Sequence, residues 1–187
     1  TALDEKAAGV VFDGVNSAGT RLGLATTMQW EKSTDKYAGK DDFPAKLNCY
    51  NTYEVLVKDG KIVAYEGGYD FERYKDDDEY NADVFVMFPK GYHRRFYDGY
   101  GNEYRYVSDI KISGYGYSPM HYIEGKEYEA VGITKYGICN DGNGGLCSRS
   151  GKQKLINNTW TNFNSKAIAK GWSGAMTIHE AMWLQHL

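Results

Sequence analysis

Apolar and polar residues alternate most clearly from Tyr53 to Lys58 and again from Lys61 to Tyr65, with Asp59-Gly60 between the two runs. Period-two alternation flanking an Asp-Gly link predicts a β-hairpin with a type I′ turn, whose two central residues must take positive φ. Val84 to Phe88 is a continuous apolar run closed by Pro89 and predicts a buried strand. Alternation resumes from Tyr92 to Tyr97. After the Asp-Gly-Tyr-Gly-Asn turn at 98–102 it continues through Tyr104 to Ser108 and Asp109 to Ile112, and Glu127 to Tyr136 predicts a further strand. Residues 1–46 are irregular, with one short strand at Val10 to Phe12 and a polar, charged stretch from Ser33 to Asp42. They read as a lead-in arm or linker, and 47–187 as the domain proper.

Helical spacing begins only near residue 159. Thr159 is a natural N-cap for a helix that places Phe163, Ala167 and Ile168 on one face and ends at Gly171 in the C′ position. Thr177 with Glu180 three residues on forms a capping box for a second helix, with Ile178, Met182, Trp183 and Leu187 as its apolar stripe. No Gly, Asn or Pro follows Glu180 to stop that helix, so the domain reads as incomplete at its C-terminal end, and Thr1 reads as something other than a natural start. The expected fold class is α+β: mostly an antiparallel β meander, with two short helices near the C-terminus.

Composition sharpens this picture. Tyr, Phe and Trp number 17, 7 and 4, and aromatics make up 15% of 187 residues, more than a core needs, so many tyrosines must show an edge to water or to a partner. The 22 glycines and 3 prolines suit tight hairpins. A net charge of −3 supplies no excess cation for phosphate neutralisation, which argues against nucleic acid, and His93-Arg94-Arg95 reads as a solvated strand face. No segment has the run of about 20 apolar residues of a membrane span, and the first residues lack the pattern of a secretion signal. Three cysteines argue against a disulfide framework. Cys139 and Cys147 read as free thiols, or as a staple across a hairpin tip in an oxidising compartment, with Cys49 buried.

Catalytic and metal-binding patterns are weak. His93, His121, His179 and His186 lie in no nucleophile motif, and Ser118 lacks the flanking glycines of a nucleophile elbow. His179-Glu180 has no second histidine four residues on, position 183 being Trp, so no zinc helix is expected. The acidic stretch between Tyr69 and Asn81 lacks the spacing of a calcium loop and reads as a solvated surface loop. Glu127 and Glu129 share a strand face, which fits surface charge as well as a carboxylate pair. The expectation is no metal, no cofactor and no catalysis. Tyr97, Tyr100, Tyr115 and Tyr117 cluster in and around hairpin loops and are the candidate ligand-binding residues; tyrosine gives broad contact area with few rotors and one hydroxyl.

The order Phe88-Pro89-Lys90, Tyr106 to Ile110, Tyr117 to Met120, Gly125 to Tyr136, Ser148 to Lys152, Thr159 with Phe163, Gly171-Trp172 and Met176 to Glu180 resembles the C-type-lectin-like domains of bacteriophage tail-fibre and receptor-binding proteins. Those domains are similar in fold to the formylglycine-generating enzyme and to retroelement-diversified variable proteins. Asn16 to Gly23, Met28 with Trp30, and Gly39 to Pro44 look like the lead-in such phage proteins carry. The resemblance implies a rigid platform that binds a bacterial surface protein or glycan, packed with other virion subunits, commonly as a homotrimer, in a tail or surface appendage made in the bacterial cytoplasm. In that family further strands and the binding-face residues follow the second helix, whereas this sequence ends inside it, so no ligand contact carries over by position. A structural collar, head or tail decoration protein is the first alternative and a glycan-active enzyme the second.

Overall fold

A computed structural model describes residues 4–15, 18–34, 36 and 39–176. In chain order the strands are β1 (Ala8–Phe12), β2 (Thr20–Gly23), β3 (Trp30–Glu31), β4 (Lys40–Asp41), β5 (Tyr53–Lys58), β6 (Lys61–Tyr65), β7 (Asp83–Pro89), β8 (Tyr92–Tyr97), β9 (Glu103–Ser108), β10 (Gly116–Tyr117), β11 (Tyr122–Ile123), β12 (Lys126–Glu127), β13 (Ala130–Thr134), β14 (Cys139–Asn140) and β15 (Leu146–Cys147). Helices α1 (Phe43–Lys46), α2 (Tyr69–Tyr74) and α3 (Trp160–Ala169) complete the set. The class is α+β, mostly antiparallel, with one described helix near the C-terminus. The second C-terminal helix expected from Thr177 onward lies outside the described residues.

The chain divides into two compact units. Among the described residues, one runs up to Asn51 and resumes over Pro89–Val131; the other holds Thr52–Phe88 and the chain from Gly132. In the first unit the sheet order is β10-β8-β9-β1-β2. The strand inside the predicted lead-in arm is therefore internal to this sheet: β1 pairs antiparallel with β9 on one side and β2 on the other. Its core is aromatic, with Tyr92, Tyr106 and Tyr115 around Ala7 and Ile112, and Phe96 and Tyr104 packed against them. Phe96 stacks on Tyr104 with centroids 4.7 Å apart, and Tyr106 tilts against Tyr115 at 6.4 Å. The broad rings fill the space that scarce aliphatics leave. They demand a small residue opposite. A Cβ on Gly9 would lie 2.4 Å from the Tyr106 ring, its cross-strand partner.

The second unit's sheet has the order β13-β7-β5-β6. The β5–β6 hairpin forms as expected, with Asp59 at φ 50° and Gly60 at φ 72°. Residues 69–74, expected as part of a solvated loop, instead form α2, because Phe71 anchors one side of the turn in the core formed by Leu56, Ala64, Ala82 and Val84. The single strand expected over 127–136 is broken into β12 and β13. The Tyr128 N–H donates to the His121 carbonyl at 2.7 Å and the Lys90 N–H to the Glu129 carbonyl at 2.9 Å, which turns the backbone between them. Residues 109–112, expected to continue the meander, leave the sheet instead, with a bend at Asp109 and Ile110 and irregular backbone after it.

Helix α3 starts and stops where the sequence says. The Thr159 hydroxyl accepts from the Asn162 N–H at 3.2 Å. At the other end the Gly171 N–H reaches Ile168 O at 2.9 Å and the Trp172 N–H reaches Ala167 O at 2.9 Å, the paired bonds of a Schellman cap. Of its expected apolar face, Ala167 is buried and Phe163 half-buried, but Ile168 is exposed. Cys139 and Cys147, read either as free thiols or as a staple across a hairpin tip, are bonded to each other; they sit directly opposite in the β14–β15 pairing with Cα atoms 4.9 Å apart. Cys49 is free and buried, and burial, with Asp109 adding to it, pushes its thiol up to about 12.

Candidate functional site

The tip of the β8–β9 hairpin presents the most exposed aromatic side chain described, Tyr100, which is 94% accessible, beside Tyr97 at 60%. Local sequence builds this turn. The Gly101 N–H donates to the Asp98 carbonyl at 3.2 Å, the Asp98 N–H donates to the Asn102 carbonyl at 3.0 Å, and Gly101 takes φ 86°, the left-handed position that a three-residue hairpin loop requires. The Asp98 carboxylate then accepts from the Tyr100 N–H at 2.8 Å, the Asn102 N–H at 3.0 Å, the Asn102 side-chain amide at 2.7 Å and the Tyr104 hydroxyl at 3.3 Å. These donors, the Asn102 amide first, hold its carboxyl below the usual carboxylate range.

Tyr97 is held as well. Arg95 Nη2 donates to its hydroxyl at 2.9 Å, and the same guanidinium stands 5.7 Å from its ring centroid. Arg95 is fixed in turn by Glu103, whose Oε1 accepts from Arg95 Nε and Arg105 Nε, each at 2.6 Å. Flanked by the two guanidiniums, Arg105 first, the Glu103 carboxyl falls to about 2. A tyrosine pair on a turn locked in this way loses little conformational entropy on contact with a partner.

The other two candidate tyrosines are elsewhere. Tyr117 pairs with Tyr92, at the far end of β8 from Tyr97, about 16 Å along the strand. It is half-buried, stacked on Tyr122 with centroids 4.4 Å apart, and hydrogen-bonded by Lys111. Tyr115 departs from the surface expectation: it is 7% exposed and belongs to the core against Tyr106. The four residues thus divide into an exposed pair, Tyr97 and Tyr100, and an inward pair.

The polar groups that resemble catalytic sets are packed into structure. Ser118 Oγ lies 2.7 Å from His121 Nδ1, but both residues are buried in one turn, where the His121 N–H also donates to Ser118 O. Glu127 accepts from the Tyr92 hydroxyl at 2.6 Å, and Lys90 reaches Glu127 at 3.3 Å and Glu129 at 2.7 Å. The Tyr92 hydroxyl and Lys90 hold the Glu127 carboxyl low, the tyrosine first, while burial and that carboxylate push Tyr92 up to about 12. His93 is half-buried and its ring shifts downward through desolvation. His179 and His186 lie outside the described residues. Among the described residues no group of three or more His, Cys, Asp or Glu side chains is arranged to hold a metal ion, and no helix is long and apolar enough to cross a membrane.

Sequence reasoning passed over other exposed aromatics. Trp30 lines a groove of about 630 Å³ with Arg21, Lys40, Asp41 and Phe43, and Tyr65 and Tyr69 line a second groove in the other unit. The available signal was their place on short edge strands and helix starts, where one face has no neighbour to cover it. Comparison with protein-family models, with curated proteins and with solved structures finds no match to this chain.

Proposed function

We propose that this chain is a non-enzymatic recognition module of a bacteriophage virion, part of a tail fibre or receptor-binding appendage, and that it touches the host surface through the tip of the β8–β9 hairpin. One observation carries the reading: Tyr100 stands almost fully in solvent on a turn whose shape is fixed by four hydrogen bonds to a single carboxylate. An isolated exposed tyrosine is ordinary, but one whose supporting loop is locked has the properties of a contact residue. It offers large apolar area, one hydroxyl and little ordering cost. The motif order along the chain supports the same reading, and the partner class it favours is a bacterial surface protein or glycan.

The test is competition for the host. Cells preincubated with the purified chain should adsorb fewer intact particles, and chain carrying Tyr97→Ala and Tyr100→Ala should compete poorly. Undiminished adsorption at saturating wild-type chain would reject the reading. Release of soluble sugar from the envelope would replace it with a glycan-cleaving one.

A further inference from the structure

A second surface, in the unit that holds β5, β6 and α2, has a different chemistry. Residues 63–71 line a groove of about 470 Å³, with Tyr65 (57% exposed), Tyr69 (76% exposed) and Gly67-Gly68 in its lining, and Glu66 and Asp70 as the only charged residues among the described ones that line it. The groove has a fixed shape. The Gly68 N–H donates to Tyr65 O at 3.1 Å, the Glu66 N–H to Glu54 O at 2.9 Å, and Phe71 is buried beneath. Tyr53 stacks behind Tyr65 with centroids 6.2 Å apart.

Asp70, and Glu66 whose Oε2 already accepts from the Glu54 N–H at 2.9 Å, form no ion pair among the described residues, and beside two exposed tyrosine rings they favour a positively charged ligand. The edge position of β6 in its sheet raises the alternative of strand pairing with a second copy. The register slip between Leu56 and Val57 breaks the regular spacing such pairing needs, the device by which edges are commonly protected. The occupant is therefore recognised by its side chains. Between the two basic side chains, a planar guanidinium stacks on a tyrosine and can bridge two oxygens of a carboxylate, while an ammonium is a hydrated point charge. This chain already stacks guanidiniums on rings in the same unit: Arg73 stands 4.9 Å from the Tyr74 ring centroid and 6.0 Å from that of Tyr69. We infer that the Tyr65–Tyr69 groove is a docking surface for an arginine-bearing segment of a protein partner.

The test uses the full chain and a fluorescein-labelled hexaarginine peptide, read by anisotropy, with hexalysine and hexacitrulline peptides of the same length beside it. Hexaarginine should bind, hexalysine more weakly and hexacitrulline not measurably. Raising salt from about 50 to 300 mM should weaken the complex, as it does for partly exposed charge pairs. Tyr69→Ala and Asp70→Asn should each lower the affinity by roughly tenfold, and both side chains can be removed without opening a core. The inference is overturned if hexaarginine does not bind, if hexacitrulline binds equally, or if both variants bind like the parent chain, which would place the attraction elsewhere. A concentration-dependent rise in molar mass that Tyr69→Ala abolishes would overturn it in favour of a second copy of the chain.

Discussion

Asp98 and Glu103 show how single carboxylates shape the candidate contact surface. Each gathers several donors onto one or two oxygens, Asp98 to fix the turn and Glu103 to fix the Arg95 that steadies Tyr97. Because Glu103 titrates near 2 in the folded chain against an ordinary value of 4.5, its stabilisation is complete above pH 4.5 and is lost as pH falls from there towards 2. Urea midpoints measured across that range should fall for the parent chain, and the fall should be shallower in Glu103→Gln. Equal slopes would show that the two arginines do not bind this carboxylate. The turn chemistry of Asp98 to Asn102 was legible in the sequence, because Asp-Gly followed by Gly-Asn has few alternatives. Whether a tyrosine beside a turn faces in or out was not. Tyr115 precedes a two-residue strand, too short for alternation to define a face, and its burial is decided by Tyr106 on a distant strand.

At the scale of elements, local signals were read well where both ends carried a cap. Helix α3 and the Asp59-Gly60 hairpin fall where Thr159, Gly171 and the turn dipeptide place them. The two elements also meet: Gly171, at φ 85°, has Gly60 Cα and N only 3.0 Å from where its Cβ would stand. Gly171→Ala should therefore cost at least about 1–2 kcal/mol from left-handed strain alone, with the clash added. Ile168→Ala, on the exposed face, should stay within about 0.5 kcal/mol. Denaturant titration of the pair separates them, and equal effects would mean that the helix end is not held as described. Helix α2 escaped notice because one buried residue, Phe71, decides it, and the acids that follow at 76–79 dominate the composition. The break between β12 and β13 escaped for a related reason. It is made by hydrogen bonds from Tyr128 to His121 and from Lys90 to Glu129, which no alternation rule encodes. The Cys139–Cys147 pairing depends on the register of β14 and β15, set by a loop that Asp141 clasps through the Asn143 and Gly145 N–H groups at 2.8 and 2.9 Å.

For the whole molecule, aromatic excess has two consequences. Each compact unit has a core in which tyrosines take part, and each leaves tyrosines at its surface, Tyr97 and Tyr100 in one and Tyr65 and Tyr69 in the other. Fold class followed from periodicity and glycine use, whereas the placement of a functional surface depended on which rings the sheets covered. In the second unit, buried Asp83 holds the Ser148 N–H at 2.8 Å and stands 3.3 Å from Lys170 Nζ. Burial pushes that carboxyl upward against these partners, and the group links Lys170, the C-cap of α3, to β7. The central claim is that a locked tyrosine at the β8–β9 tip makes the host contact. Its most direct test is the dissociation constant of the chain for isolated host envelope, measured for the parent and for Tyr100→Ala alongside their unfolding midpoints. The account predicts an affinity loss of roughly 30-fold with an unchanged midpoint, as for an exposed hot-spot residue. A constant within about twofold of the parent would contradict it.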